Sequence, residues 1–138
     1  MQGADFNQET KDLLERINRF LREEFNYKKF PAFLSHSGNI SANQKYFDLY
    51  IRGPFVPKGD PVPQNSIVIA SINFYNKRQG WGTEFLKMLK EYCLFWDIDY
   101  IVIESAHTEA VKEFAKKKNF LQMEGTKDWL AHVKDIDV

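Results

Sequence analysis

A single cysteine, Cys93, is the chain's entire thiol content. An internal disulfide is excluded, and that usage fits a reducing compartment. Cys93 sits among Leu89, Tyr92 and Trp96, the setting of a small buried hydrophobe rather than of a nucleophile. Long apolar runs are missing too, and the start, Met1-Gln2-Gly3-Ala4-Asp5, is polar. Neither a transmembrane span nor a secretory signal is expected, and a cytoplasmic location is. Nor is there an excess of charge of either sign: 19 Lys and Arg oppose 19 Asp and Glu. That balance gives no electrostatic case for nucleic acid or an anionic membrane as partner. The Lys112, Lys116, Lys117 and Lys118 group reads as a solvated helix face. His36 and His132 have no partners at ligand spacing, so no metal is expected.

What is present is a core. Within 138 residues, 43% are hydrophobic and 15% aromatic, with twelve Phe, enough for one globular domain over residues 1–138. Residues 8–25 repeat Leu13, Leu14, Ile17, Phe20, Leu21 and Phe25 at three- and four-residue spacing, which predicts an amphipathic helix with Asn7 as N-cap. Residues 30–36 predict a short strand, and Pro31 puts it at a strand start or an edge. In residues 45–52, Phe47, Leu49 and Ile51 alternate with Asp48 and Arg52, the pattern of a half-buried strand. Four of the five prolines fall between Pro54 and Pro63 and mark a stiff surface connection.

Residues 66–74 are apolar on both sides, as in a central strand. A helix over 82–96, a buried strand over 99–104 and an amphipathic helix over 108–118 follow. In that last helix Val111, Phe114 and Ala115 face inward. Residues 120–124 and 129–134 read as a closing strand pair. The strand–helix–strand unit from 66 to 104 is a right-handed parallel crossover. The fold class is α/β, a mixed central sheet with helices on both faces. Phe25, Tyr27, Phe30 and Phe33 are read as core, with an acceptor cleft or a homodimer contact as the alternatives.

The turn Lys77-Arg78-Gln79-Gly80-Trp81-Gly82-Thr83 joins the central strand to its helix. Walker-loop spacing is absent, and so is the third glycine of a dinucleotide fingerprint. Strand, Gly-containing turn and helix start nevertheless form an anion site: the first amides of a helix have no internal partner, and the helix dipole is positive there. Two glycines admit an anion to the backbone, and Lys77 and Arg78 add full charges.

This turn is similar to the Arg/Gln-x-x-Gly-x-Gly/Ala pyrophosphate loop of the GNAT superfamily of N-acetyltransferases, with Lys77 in place of Arg or Gln. Residues 108–120 resemble that family's Asn-x-x-Ala-x-x-Leu-Tyr-x-Lys-x-Gly-Phe segment through Val111, Phe114, Lys117 and Phe120. The resemblance covers about residues 66–124. It implies a GNAT-like (acyl-CoA N-acyltransferase) fold with acetyl-CoA as co-substrate and an amine acceptor, in a small molecule or a protein. By position the diphosphate would lie on the amides of Arg78, Gln79, Gly80, Trp81, Gly82 and Thr83 beside Lys77, and pantetheine along Ile72, Asn73 and Phe74. Ala115 stands where the family often has a proton-donating Tyr, Thr108 replaces the opening Asn, and Asn119 replaces a Gly. A catalytically degenerate GNAT-like protein, binding a partner with or without CoA, is therefore the alternative.

For the chemistry, Glu104 at the end of the second buried strand is the candidate base through water, and Thr108 and Ser105 are candidate hydrogen-bond donors to a thiolate. Glu104 lies one residue off the register in which some family members carry a base, which can turn it to the other face. His107 reads as structural. For Trp81, packing against the sheet is expected, with adenine stacking as the alternative.

Overall fold

The computed structural model describes residues 7–53, 62–75, 80–104, 106 and 108–138. Most of the proline-rich connection, residues 54–61, lies outside that set. Helix α1, Gln8–Phe25, begins as its residues dictate: the Thr10 N–H donates to Asn7 Oδ1 at 2.9 Å. It ends at Asn26, whose φ of 60° is left-handed, a conformation Asn tolerates. Leu13, Ile17 and Leu21 are fully buried on its inner face, each contributing about 1.5–3 kcal/mol by burial.

Among the described residues, seven strands form one sheet: β1 Phe33–Leu34, β2 Ile40–Gln44, β3 Phe47–Arg52, β4 Ser66–Phe74, β5 Tyr100–Ile103, β6 Leu121–Gln122 and β7 Trp129–His132, in the order β1-β2-β3-β4-β5-β7-β6. Only β4 and β5 pair in parallel, across helix α2, Trp81–Phe95; every other pair is antiparallel. Helix α3, Glu109–Lys117, follows β5. Mixed sheet, central β4 and crossover all match the expected class.

The buried apolar residues Leu13, Ile17 and Leu21 of α1, Phe85, Leu86, Leu89, Tyr92 and Cys93 of α2 and Ala115 of α3 belong to one large core on one side of the sheet. On the opposite side Val68 and Val102 are buried with Val62, and Met123 and Leu130 pack against them.

Strand β4 carries a bulge. Ile51 pairs with Ile69 and Tyr50 with Ser71, which leaves Ala70 as an extra residue. Side chains show the same shift. Ile67 and Ile69 belong to the helix-side core before the bulge, while Ile72 and Phe74 pack against it afterwards. Inward positions thus change from odd to even at Ala70.

Several elements differ from expectation. β2 was not anticipated. It has only Ile40 and Ala42 to bury, in a segment otherwise polar. β6 shrinks to two residues, and β7 stops at His132, where a 3-10 turn, Val133–Asp135, takes over. Phe25 and Tyr27 pack on the core as expected, but Phe30 and Phe33 are 68% and 61% exposed. Strand β1 lies at the sheet's edge, where nothing among the described residues covers its outer side chain.

Candidate functional site: a slot between diverging strands

β4 and β5 pair only from Ser66 to Ile69 on one side and Tyr100 to Ile103 on the other. The last bond between them runs from the Glu104 N–H to the Ile69 carbonyl at 2.9 Å. Beyond it β4 continues to Phe74 paired with β3 alone, while the chain after β5 leaves toward α3. A slot of about 320 Å3 opens between them, lined by Ile69, Ala70, Ser71, Ile103, Glu104 and Ala106. Ile72, Asn73, Thr108 and Val111 line both this slot and an adjoining groove of about 430 Å3, completed by Phe74, Gly82, Ala110 and Phe114.

The backbone of β4 faces into this space. Tyr75 donates its N–H to the Tyr46 carbonyl on the β3 side at 2.9 Å. Main-chain groups alternate along a strand, so Ser71 and Asn73 also point toward β3, whereas Ile72 and Phe74 offer N–H and C=O to the groove.

At the far end α2 starts. Its N-cap, Gly80, holds φ at 102° and supplies no side-chain cap. Glu84 N–H makes the first intrahelical bond, to the Gly80 carbonyl at 2.9 Å, so the amides of Gly82 and Thr83 precede the helical ladder. α3 begins at the same groove. Its N-cap Thr108 accepts the Val111 N–H on Oγ1 at 3.2 Å. Two helix starts therefore direct positive ends toward one groove, an arrangement that favours an anion. Trp81 is 6% exposed and lies 4.3 Å, centroid to centroid, from Phe25 and 6.0 Å from Phe74. Its packing anchors the helix start to the end of β4, as expected of it.

Of the expected site residues, Ile72, Asn73, Phe74, Gly82, Glu104 and Thr108 line the slot and groove, and Gly80, Trp81 and Thr83 belong to the helix start. Lys77, Arg78 and Gln79 lie outside the described residues, as do Ser105 and His107. Glu104 points away from the helices, and its Oε2 accepts a 2.7 Å charged bond from Arg52 Nη2 on β3. Ala115 is fully buried. Cys93, pushed up to about 12 by burial, is no nucleophile, in line with its expected role.

Ile69, Ala70, Ser71, Ile103, Ala106 and Ala110 were not expected at the site, and Val111 and Phe114 were expected as inward-facing residues and matches to the family's segment, not as lining. The i, i+3 spacing of Thr108, Val111 and Phe114 is the signal that groups the last two with the site. A larger trough, about 830 Å3 along α1 and Phe30, shares no lining residue with the slot.

No protein-family model matches this chain, and no curated protein does. Solved structures do. An acetyltransferase of the GNAT family from Staphylococcus aureus Mu50 aligns over 94% of this chain and 97% of its own, with 12% identity and a TM-score of 0.52. A mutant of the AtaT toxin bound to the C-terminus of the antitoxin AtaR aligns over 70% of this chain at 17% identity and a TM-score of 0.47. The same pair solved with acetyl-CoA gives 16% and 0.47. This chain spans 65% of the length of that first toxin. The likeness that extends over nearly the whole chain is to the Staphylococcus aureus protein, and by it this chain has the fold of the GNAT acetyltransferases.

Proposed function

We propose that the protein is an acetyl-CoA-dependent N-acetyltransferase that moves an acetyl group to an amine of a small molecule or protein. One observation carries this reading: the open main-chain edge of β4 and the first turn of α2 line one groove. The diphosphate of acetyl-CoA would rest on the amides of residues 78–83, with Lys77 and Arg78 beside it. Pantetheine would pair with the groove-facing groups of Ile72 and Phe74 and pass Asn73. The thioester then reaches the slot next to Ala70.

An amine entering from the Ser71 and Glu104 side attacks the carbonyl carbon, forming C–N as C–S breaks. Its proton passes through water to the Glu104 oxygen that Arg52 does not hold. Thr108 Oγ1 accepts from Val111 yet keeps its own hydrogen, which it can donate to the departing thiolate. A location in the cytoplasm accords with the lone, reduced cysteine.

The buried Ala115, with no proton to give, favours the second reading: a protein that binds CoA or a partner without turnover. Acetyl-CoA at a hundred times its Kd should add about 2.7 kcal/mol to folding stability, read as a rise in Tm. Absence of any rise refutes the transferase and any CoA-binding role, and leaves only a partner-binding protein. A rise without release of CoA thiol across an amine panel leaves the binding protein alone.

A further inference from the structure

Two carboxylates flank the slot on the sheet face away from the helices, and they differ in their partners. Because Phe47, Leu49 and Ile51 are buried inward, alternation puts Asp48, Tyr50 and Arg52 on that opposite face of β3. Ser71 and Asn73 share it on β4, and Glu104 follows inward Ile103 on β5. Glu104 is neutralised by Arg52 at 2.7 Å. Asp48, half-buried, accepts only from neutral donors, Ser71 Oγ at 3.3 Å and Asn43 Nδ2 at 3.3 Å. No Lys, Arg or His among the described residues forms an ion pair with it. Among the described strand residues, β2 adds Ser41 and Asn43 to this face, and its other titratable or charged groups are Tyr50, Arg52 and Glu104, with Tyr100 and His132 farther along on β5 and β7. A partly desolvated carboxylate with neutral neighbours leaves an unmet attraction for a cation. Ser71 ties it to the slot, since this residue both lines the slot and bonds to Asp48.

We propose that Asp48 holds a second positive charge of the acceptor, so that the acceptor is an amine with another cationic centre about one strand's width, ~4.8 Å, from the nitrogen that is acetylated. This inference rests on the transferase reading above. The attacking amine gives its proton up toward Glu104, while the second ammonium stays charged against Asp48. A short aliphatic diamine satisfies both positions, and a monoamine fills only the slot.

The test compares 1,3-diaminopropane with 1-aminopropane, each with acetyl-CoA, in the wild-type protein and in Asp48→Asn and Asp48→Glu, following release of CoA thiol. The wild type is expected to prefer the diamine about ten- to hundredfold in kcat/KM, the range of one charge-assisted hydrogen bond, and to express it in KM. Asp48→Asn should bring that ratio close to one by raising KM for the diamine, and Asp48→Glu should restore part of it. A merely structural Asp48 would instead weaken both amines alike and reduce the acetyl-CoA melting shift. Equal use of the two amines by the wild type, or parallel losses in Asp48→Asn, overturns the inference while leaving the transferase intact. A wild type that melts higher with acetyl-CoA but releases no CoA to any amine removes the transferase reading and this inference together.

Discussion

Replacing Gly82 with alanine would set a Cβ 3.2 Å from Phe114 Cε1, 3.4 Å from Cζ and 3.9 Å from Cδ1. The first of these is tighter than ordinary contact, and the atom met is part of a ring whose other side packs on the core. Overpacking of this kind costs about 1 kcal/mol at the mild end. Against it, alanine in a helix recovers up to about 1 kcal/mol of glycine's chain entropy, less in a first turn. Gly82→Ala alone should therefore lower stability by at most ~1 kcal/mol, the difference of those two effects. In a Phe114→Leu background the obstructing ring is gone, and the same substitution should turn neutral or favourable, a coupling of about 1 kcal/mol between the sites. Urea unfolding of the four proteins measures it. Additivity within about 0.3–0.5 kcal/mol would show that the two side chains do not meet as described. The ligand gives a second readout. A displaced Phe114 narrows the groove that it lines with Gly82, so the acetyl-CoA melting shift should shrink in Gly82→Ala and return in the double variant. An undiminished shift in Gly82→Ala would refute this groove as the ligand's path.

Gly80→Ala tests backbone strain with nothing to clash against, since φ is 102° and no atom lies within 4 Å of an added Cβ. It should lower the unfolding free energy by about 1–3 kcal/mol, and an unchanged urea midpoint would contradict the left-handed turn. Asn7→Ala removes the cap on Thr10 and should cost about 1 kcal/mol, with the loss visible in helical circular dichroism melts. Alkaline pH should weaken the fold. Burial lifts Cys93 from 9.0 to about 12 and, with its neighbours, carries the Tyr92 phenol above its usual range, so the native state binds those protons more tightly than the unfolded chain. The stability due to Cys93 is complete below pH 9 and falls as pH rises from 9 toward 12, by up to about 1.4 kcal/mol per pH unit. Cys93→Ala should flatten that limb, and a flat stability profile from pH 8 to 10.5 in the parent protein would disprove it.

Periodicity made the helices legible, because the buried faces of α1 and α3 repeat at a spacing that only a helix brings together. Local chemistry served equally well at Asn7, which caps α1, and at Asn119, which adopts the left-handed turn at φ 77° in place of the family's glycine. β2 escaped notice because one isoleucine and one alanine are a faint alternation. Phe33 was misplaced for the opposite reason: composition says that phenylalanine is buried, but an edge strand leaves one side open, and Phe30, just before that strand, lies exposed beneath the Arg22 guanidinium. The slot was only half visible. Its glycine turn and the end of β4 are local features, whereas the Arg52–Glu104 bond joins residues 52 apart and the Ser71–Asp48 bond residues 23 apart. Neither pairing has a signature in the chain before the sheet brings them together.

The extra residue at Ala70 makes the middle of β4 intolerant of length change. Deleting it would carry Ile72 and Phe74 over to the polar side and swing Ser71 and Asn73 inward. The main-chain donors now available to a ligand would turn back to β3. Insertions and deletions ought to be absorbed readily at the tight turn between β1 and β2, where Gly38 sits and no inward register depends on the count. At Ala70 a single codon lost would abolish folding and ligand uptake in one step.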